Sequence, residues 1–463
     1  MNARVWAAGL ALSASLAWAG GRGGTGAAAT APIPPRPPAD TLTTSFDVSG
    51  VHVILRRNTA NDVVAVNLYL LGGSRGLTDS TVGVAPMMLW VSERGTQHYS
   101  REALRLKTAQ LGSTIVVEPD PDWTMFGFRG IRSTFDSTWM VFADRLMHPT
   151  LDSADVELVR SQVSSAVSER QESPDDWVEY LADSVAFTGT PYGLAPGGTA
   201  RSIAAITPAD LRHFRDSALV TSRMLVVVVG NVDRDQVTRD VQRTLGTLPA
   251  GSYHWTPVPA AMAADTTGDP APNGSPAHPP AVLEERTLPT NYILGYYDGP
   301  AATSADYQAL RVATAVLSGR LFAEVRTRRN LTYAVEAPFL EHAVAAGGLY
   351  VTTVYPDSVL AIMREQVHEL QQGIVDTDNL HVIVAQFLTE YFLNTETNDQ
   401  QANFLARAQL YQGDWHLANQ FAAELERVTP LDVQRAARRY IHGVKFAYLG
   451  DTTHVSRSLL TGF

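Results

Sequence analysis

The sequence predicts an α+β protein of two homologous domains, each a mainly antiparallel sheet covered by helices, joined by a flexible linker. Three observations lead there. The chain has 463 residues, more than one ordinary hydrophobic core organises, so two domains of roughly 200 residues are the natural division. Residues 251–280 are rich in Pro, Gly and small polar side chains, cannot supply a packed core, and split the chain into comparable halves. β-rich and helical segments then follow one another in the same order on either side of that stretch.

In the first half the apolar run Val63–Leu71 reads as a strand and Val84–Val91 as a helix; residues 291–297 and 306–317 take the same places in the second. A long amphipathic helix comes late in each half, at 153–170 and 357–372. Each half closes on a β-rich segment, 224–230 and 446–449. Ser133-Thr134-Phe135-Asp136 and Asp152-Ser153 carry N-cap chemistry and are expected to start helices with side-chain caps. The resulting limits are 42–250 for the N-terminal domain, 251–282 for the linker and 283–463 for the C-terminal domain.

Upstream lie Arg4, an apolar stretch over residues 6–19 and the small-residue pattern Ala17-Trp18-Ala19, which together read as a secretory signal spanning 1–19. Fourteen apolar residues fall short of the ~20 that cross a bilayer, so cleavage is expected rather than anchoring. Residues 20–41 then form a Gly/Ala/Pro-rich tether. The expected location is periplasmic or extracellular, with no membrane span after signal cleavage.

Composition narrows the chemistry. Hydrophobic content of 45% with 18% charged residues fits a soluble globular chain. A formal charge of −11 leaves no basic excess to neutralise nucleic-acid phosphates or anionic lipid. With no cysteine, disulfides, thiolate catalysis and Cys-type metal sites are excluded.

A series of short phrases in the first half carries more. Gly73-Ser74-Arg75 precedes Gly83-Val84-Ala85, and twelve residues after Gly83 comes Gly95-Thr96, then Ser100-Arg101-Glu102. Further on stand Pro191-Tyr192-Gly193, Gly198-Thr199, Ile206-Thr207-Pro208-Ala209-Asp210-Leu211 and residues 225–233. In order and spacing this series resembles the insulinase/pitrilysin family of zinc metallopeptidases, to which the mitochondrial processing peptidases are similar, and the resemblance extends through the second half.

The resemblance implies an inverted zinc motif, His-x-x-Glu-His, on the first helix. Two histidines four apart share one helical face, the glutamate activates metal-bound water, and a glutamate on a later helix completes the coordination. In register the histidine positions are Pro86 and Trp90, the base position is Leu89, and the distal ligand falls at Ala166. None has a metal-binding group. The closest of the twelve histidines in sequence are twelve residues apart, so no helical His pair exists elsewhere. Met88, Leu89 and Trp90 read most simply as repacked core, and no metal is expected in this chain.

The second half contains Ser318-Gly319-Arg320-Leu321-Phe322-Ala323-Glu324-Val325-Arg326 and then Asn330-Leu331-Thr332-Tyr333-Ala334-Val335. The resemblance implies that an Arg and a Tyr seven residues apart in this phrase reach across a closed chamber to the substrate; Arg326 and Tyr333 hold those positions. Guanidinium and phenol donors suit a scissile carbonyl and the oxyanion it becomes. From composition alone, Arg326 belongs to a basic run with Arg328 and Arg329, the pattern of a solvated face, and Tyr333 is an ordinary strand residue. Family members carry a longer glycine-rich segment ahead of the Arg-Leu-Phe phrase, which Leu317-Ser318-Gly319 does not provide.

One arrangement that the resemblance implies is a heterodimeric clamshell. There this chain is the non-catalytic, substrate-binding subunit and supplies Arg326 and Tyr333 in trans, while a homologous partner with an intact motif carries zinc; the substrate is a peptide or unfolded segment. The alternative is a structural or peptide-binding protein that kept the fold without contributing to catalysis.

Overall fold

The computed structural model describes residues 42–259, 262 and 281–463; the expected signal, the tether and most of the linker lie outside them. Two six-stranded sheets form the frame. The first holds β1 (Thr43–Val48), β2 (Val51–Arg57), β3 (Val63–Leu71), β4 (Thr114–Pro119), β5 (Trp123–Ile131) and β6 (Met224–Gly230), in the order β1-β2-β6-β3-β5-β4. The second holds β7 (Val282–Glu285), β8 (Asn291–Ala301), β9 (Val335–Glu336), β10 (Phe339–Leu340), β11 (Val344–Thr353) and β12 (Lys445–Gly450), in the order β10-β11-β8-β12-β7 with β9 also on β11.

From β2 onward the two orders coincide: β2-β6-β3-β5-β4 against β7-β12-β8-β11-β10. Even the exception repeats, because β2 with β6 and β7 with β12 are the parallel pairs in otherwise antiparallel sheets. The domain is built twice, as the order of elements predicts.

Helices of the first domain are α1 (Val84–Val91), α2 (Arg101–Leu111), α3 (Phe135–Met147), α4 (Ser153–Glu172), α5 (Pro174–Ala186), α6 (Ala200–Ala205), α7 (Pro208–Ala218) and α8 (Arg234–Arg243). Those of the second are α9 (Asp306–Leu321), α10 (Pro356–Gln372), α11 (Thr377–Asn394), α12 (Asn398–Gln412), α13 (Phe421–Glu426), α14 (Pro430–Tyr440) and α15 (Arg457–Leu460). α3 and α4 begin where expected but without the expected side-chain caps. Thr134 ends a 3₁₀ turn, so its backbone is not extended as a capping residue's is, and its hydroxyl donates to the Leu111 carbonyl at 3.1 Å instead.

Each sheet is covered on both faces, and the second cover comes from the other domain. In β6, Val226 and Val228 point into the first domain's own core, whereas Leu225, Val227 and Val229 meet Ala402, Leu405 and Ala406 of α12. That double burial explains why β6 reads Met-Leu-Val-Val-Val-Val-Gly without alternation. In β12, Phe446 and Tyr448 face their own core, while Ala447 and Leu449 meet Val178, Leu181 and Ala182 of α5. The exchange is reciprocal: α5 roofs the second sheet and α12 the first. Alanines at these contacts let helix and sheet approach closely.

Linker-like composition does not leave the start of that segment bare. Trp255 Nε1 donates to the Leu410 carbonyl at 2.7 Å, and the Arg75 guanidinium lies 4.1 Å from the Trp255 ring. At the other end β7 begins at Val282, which the expected limits had left in the linker.

Candidate functional site

The expected metal position is occupied by core. Helix α1 starts at Gly83, whose φ of +91° is open to glycine, and packs against α4 and α7. Pro86 lies in the first turn, where its missing N–H was an orphan donor in any case. Pro86 and Leu89 are buried, Trp90 and Ala166 half-buried. Leu89 belongs to the main core of the first domain and Trp90 packs against it. Ring, isobutyl, indole and methyl groups offer zinc no lone pair, so the metal does not fit this site.

A cation does stand close by, held by α1. Arg145 donates to the Leu89 carbonyl (3.3 Å) and to Ser92 Oγ (3.2 Å), where α1 ends and its dipole is negative. Burial pulls the Arg145 pKa down to about 10, with Glu93 opposing the shift. Among the described residues no three His, Asp or Glu side chains come together as a metal site.

Arg326 and Tyr333, by contrast, are brought together. Past α9 the chain widens into a π-helical turn, Phe322–Thr327, a rare geometry associated with functional sites. Asn330 then turns the chain with φ +51°, a conformation Asn tolerates, and Tyr333 returns beside the turn. The Arg326 guanidinium lies 5.2 Å from the Tyr333 ring and 5.0 Å from that of Phe322, within cation–π range. Tyr333 is 82% exposed, an unusual state for a large aromatic.

The basic run divides by partner. Arg328 pairs with Glu324 at 3.0 Å, and Arg329 pairs with the same carboxylate and donates to the Glu324 carbonyl at 2.9 Å. These guanidinia hold the Glu324 carboxyl below its ordinary range, through the hydrogen bond from Arg329 above all. The Arg326 guanidinium forms no ion pair or hydrogen bond among the described residues. Of the three arginines it is the uncommitted one.

A third cluster draws on two of the quoted phrases, Arg75 of Gly73-Ser74-Arg75 and Tyr192 of Pro191-Tyr192-Gly193, around a carboxylate that carries no sequence signal. Asp122, fully buried, accepts from Arg75 (2.5 and 2.8 Å), from the Tyr192 hydroxyl (3.0 Å) and from the Tyr411 hydroxyl of α12 (2.9 Å). Arg75 also donates to the carbonyls of Thr256 and, at 2.7 Å, Pro257. One carboxylate thus joins both domains and the segment between them. Desolvation pushes the Asp122 pKa up to about 6 against the pull of Arg75, and burial raises both tyrosines well above the usual phenol range.

Two duplicated sheet-and-helix domains, with the first helix at a metal position and an Arg–Tyr pair on the second domain, define a protein of peptidase fold. Residues 52–199 match the family described as Insulinase (Peptidase family M16), and residues 205–387 the domain described as Peptidase M16 inactive domain. The chain belongs to the insulinase (M16) family. It is 22% identical over 409 residues to the beta subunit of the mitochondrial-processing peptidase of Blastocladiella emersonii, covering 85% of each chain. An otherwise uncharacterised zinc protease of Streptomyces coelicolor is 25% identical over 380 residues, covering 79% of this chain and 80% of the relative. The solved structure of a protease from Helicobacter pylori superposes with a TM-score of 0.77 at 16% identity, covering 88% of this chain and 99% of that one, which speaks to the fold alone. Among the described residues no helix is long and apolar enough to cross a membrane.

Proposed function

We propose that this chain is the non-catalytic, substrate-holding subunit of a heterodimeric zinc metallopeptidase. The observation that carries the reading is Arg326: an uncommitted guanidinium against a largely exposed tyrosine, in a run whose other arginines both pair with Glu324. Arg326 and Tyr333 donate hydrogen bonds to the carbonyl oxygen of a bound peptide and hold it more tightly as negative charge develops there. The metal and its activated water belong to a homologous partner chain with an intact His-x-x-Glu-His motif, since the α1–α4 position of this chain offers no ligand. A relative named as a peptidase subunit supports an assembly of this kind. The segment 1–19 supports export, to the periplasm or beyond.

The test is reconstitution with the zinc-bearing partner and a quenched-fluorescence peptide. Arg326→Ala is expected to assemble normally and to lose about 10²–10³ in kcat, the usual effect of removing one oxyanion donor. Tyr333→Phe should lose less, being a neutral donor. Arg328→Ala and Arg329→Ala should remain near wild type. Normal turnover of the Arg326→Ala complex would leave the chain a scaffold or peptide-binding protein.

A further inference from the structure

Helix α11 ends in a turn that is both apolar and acidic. Phe392 and Leu393, adjacent in that turn, are 60% and 59% exposed. They form the outer edge of an aromatic cluster. The Phe392 ring lies 5.2 Å from that of Tyr391, which lies 5.0 Å from Phe404 of α12 and 5.1 Å from Phe421 of α13. Thr395 closes the turn, its amide (2.9 Å) and hydroxyl (2.8 Å) both donating to the Tyr391 carbonyl. The two exposed side chains therefore stand on packed structure.

The charge around them is one-sided. No Lys or Arg occurs between Arg364 and Arg407, a stretch that carries seven carboxylates. A helix C-terminus is negative and draws cations, yet the last turn of α11 has none. Glu390 and Glu396 flank Phe392-Leu393, both exposed and neither with a hydrogen bond or ion pair among the described residues. Cations of the neighbouring elements are engaged elsewhere. Arg56 donates to Thr43 Oγ1 (2.8 Å) and Asn419 Oδ1 (3.1 Å), Arg311 pairs with Glu341, and Arg129 with Asp399. Arg57 alternates onto the opposite face of its sheet, with Val53 and Leu55. The duplication supplies an internal control. Helix α4 holds the same place in the first domain and likewise buries only two residues, Val156 and Val159 against Leu380 and Val384, but it ends Ser168-Glu169-Arg170, a solvated turn with its own cation.

We propose that the C-terminal turn of α11 is a docking surface for a partner protein, which lays on it an apolar helix edged by Lys or Arg. The inference goes beyond the reading of Arg326 and Tyr333 and does not depend on it. Charge complementarity chooses the occupant. Apolar side chains of the partner take Phe392 and Leu393 out of water, and its cations meet Glu390 and Glu396. A guanidinium serves both needs, since it pairs with a carboxylate and stacks on an exposed ring. An anionic lipid surface is opposed by the same carboxylates. A second copy, related by a two-fold axis, would set Glu390 and Glu396 against their own equivalents.

The experiment uses the full chain and three fluorescein-labelled helical peptides, with binding read by fluorescence anisotropy. One carries Leu on one face and Lys and Arg along its edge; in the second Glu replaces the cations, and in the third Ser replaces Leu. The basic apolar peptide is expected to bind about tenfold tighter or more than either of the others, and to weaken as salt is raised. Phe392→Ser/Leu393→Ser, at exposed positions, should remove the advantage of Leu over Ser. Glu390→Lys/Glu396→Lys should reverse the charge preference, so that the Glu peptide binds better; a misfolded chain would not gain binding in this way. Glu169→Lys on α4 and Arg326→Ala should leave the wild-type preferences in place. Equal or undetectable binding of the three peptides to the wild type overturns the proposal, and so does a charge preference that Glu390→Lys/Glu396→Lys fails to reverse. Loss of binding in Arg326→Ala would place the peptide at the Arg326–Tyr333 pair and also overturn it. A wild-type dimer by light scattering that Phe392→Ser/Leu393→Ser converts to monomer would make the turn an interface between copies, with the same consequence.

Discussion

Asp122 tests which of two opposing effects governs the junction between the domains. The carboxylate is fully buried, which favours its neutral form, and it touches Arg75, which favours the charged one. Desolvation is the larger effect, so the carboxyl titrates near 6 in the folded chain against an ordinary 3.8. A group that binds its proton more tightly when folded adds stability that is fully present below about pH 4 and is lost as pH rises through 6. At 1.36 kcal/mol per pKa unit the whole effect is roughly 3 kcal/mol, of which about 1 kcal/mol falls between pH 7 and pH 5. Asp122→Asn keeps an acceptor for the tyrosines but cannot titrate. Urea unfolding followed by tryptophan fluorescence at several pH values reads the difference, and one transition is expected because each domain roofs the other's sheet. The stability of wild type minus that of Asp122→Asn should rise by about 1 kcal/mol from pH 7 to pH 5. Asp240, also pushed up to about 6 by burial, titrates in both proteins and cancels. A signed difference that falls on acidification would falsify the reasoning, for it would mean that the Arg75 ion pair outweighs burial.

Two more outcomes are expected. A Cβ at Gly83 would stand 2.7 Å from Gly198 Cα, on a backbone at φ +91°, so Gly83→Ala should destabilise the first domain by about 2–4 kcal/mol; an unchanged urea midpoint would refute the close approach. The purified full chain, dialysed and assayed by metal analysis, should hold no stoichiometric zinc and cleave no peptide, whereas one tightly held zinc per chain would mean a site outside α1 and α4.

Much of the framework was legible locally. Val63–Leu71, Val84–Val91 and Met224–Gly230 occur as read, because an unbroken apolar run or a helical period closed by Gly or a cap decides a segment within its own length. Caps were less legible. Thr134 has a capping side chain on a backbone that is not extended, and Asp152 has both the side chain and the extended backbone of a cap, yet neither side chain caps. The family resemblance pointed to Arg326 and Tyr333, and in the same register it implies that α1 has no zinc ligands. Composition alone could not separate Arg326 from Arg328 and Arg329, since all three look alike until Glu324 takes two of them.

What the tertiary structure alone decided is everything made by residues far apart in the chain. The linker's composition suggested two bodies loosely joined, yet α5 and α12 each complete the other domain's sheet, and Trp255 fastens the segment between them to α12. Nothing local distinguishes a helix that roofs its own sheet from one that roofs its neighbour's, because both present the same apolar stripe. Asp122 is the plainest case. A carboxylate in Asp120-Pro121-Asp122-Trp123 reads as a polar turn, and only the fold, by bringing Arg75, Tyr192 and Tyr411 around it and excluding water, makes it a buried junction.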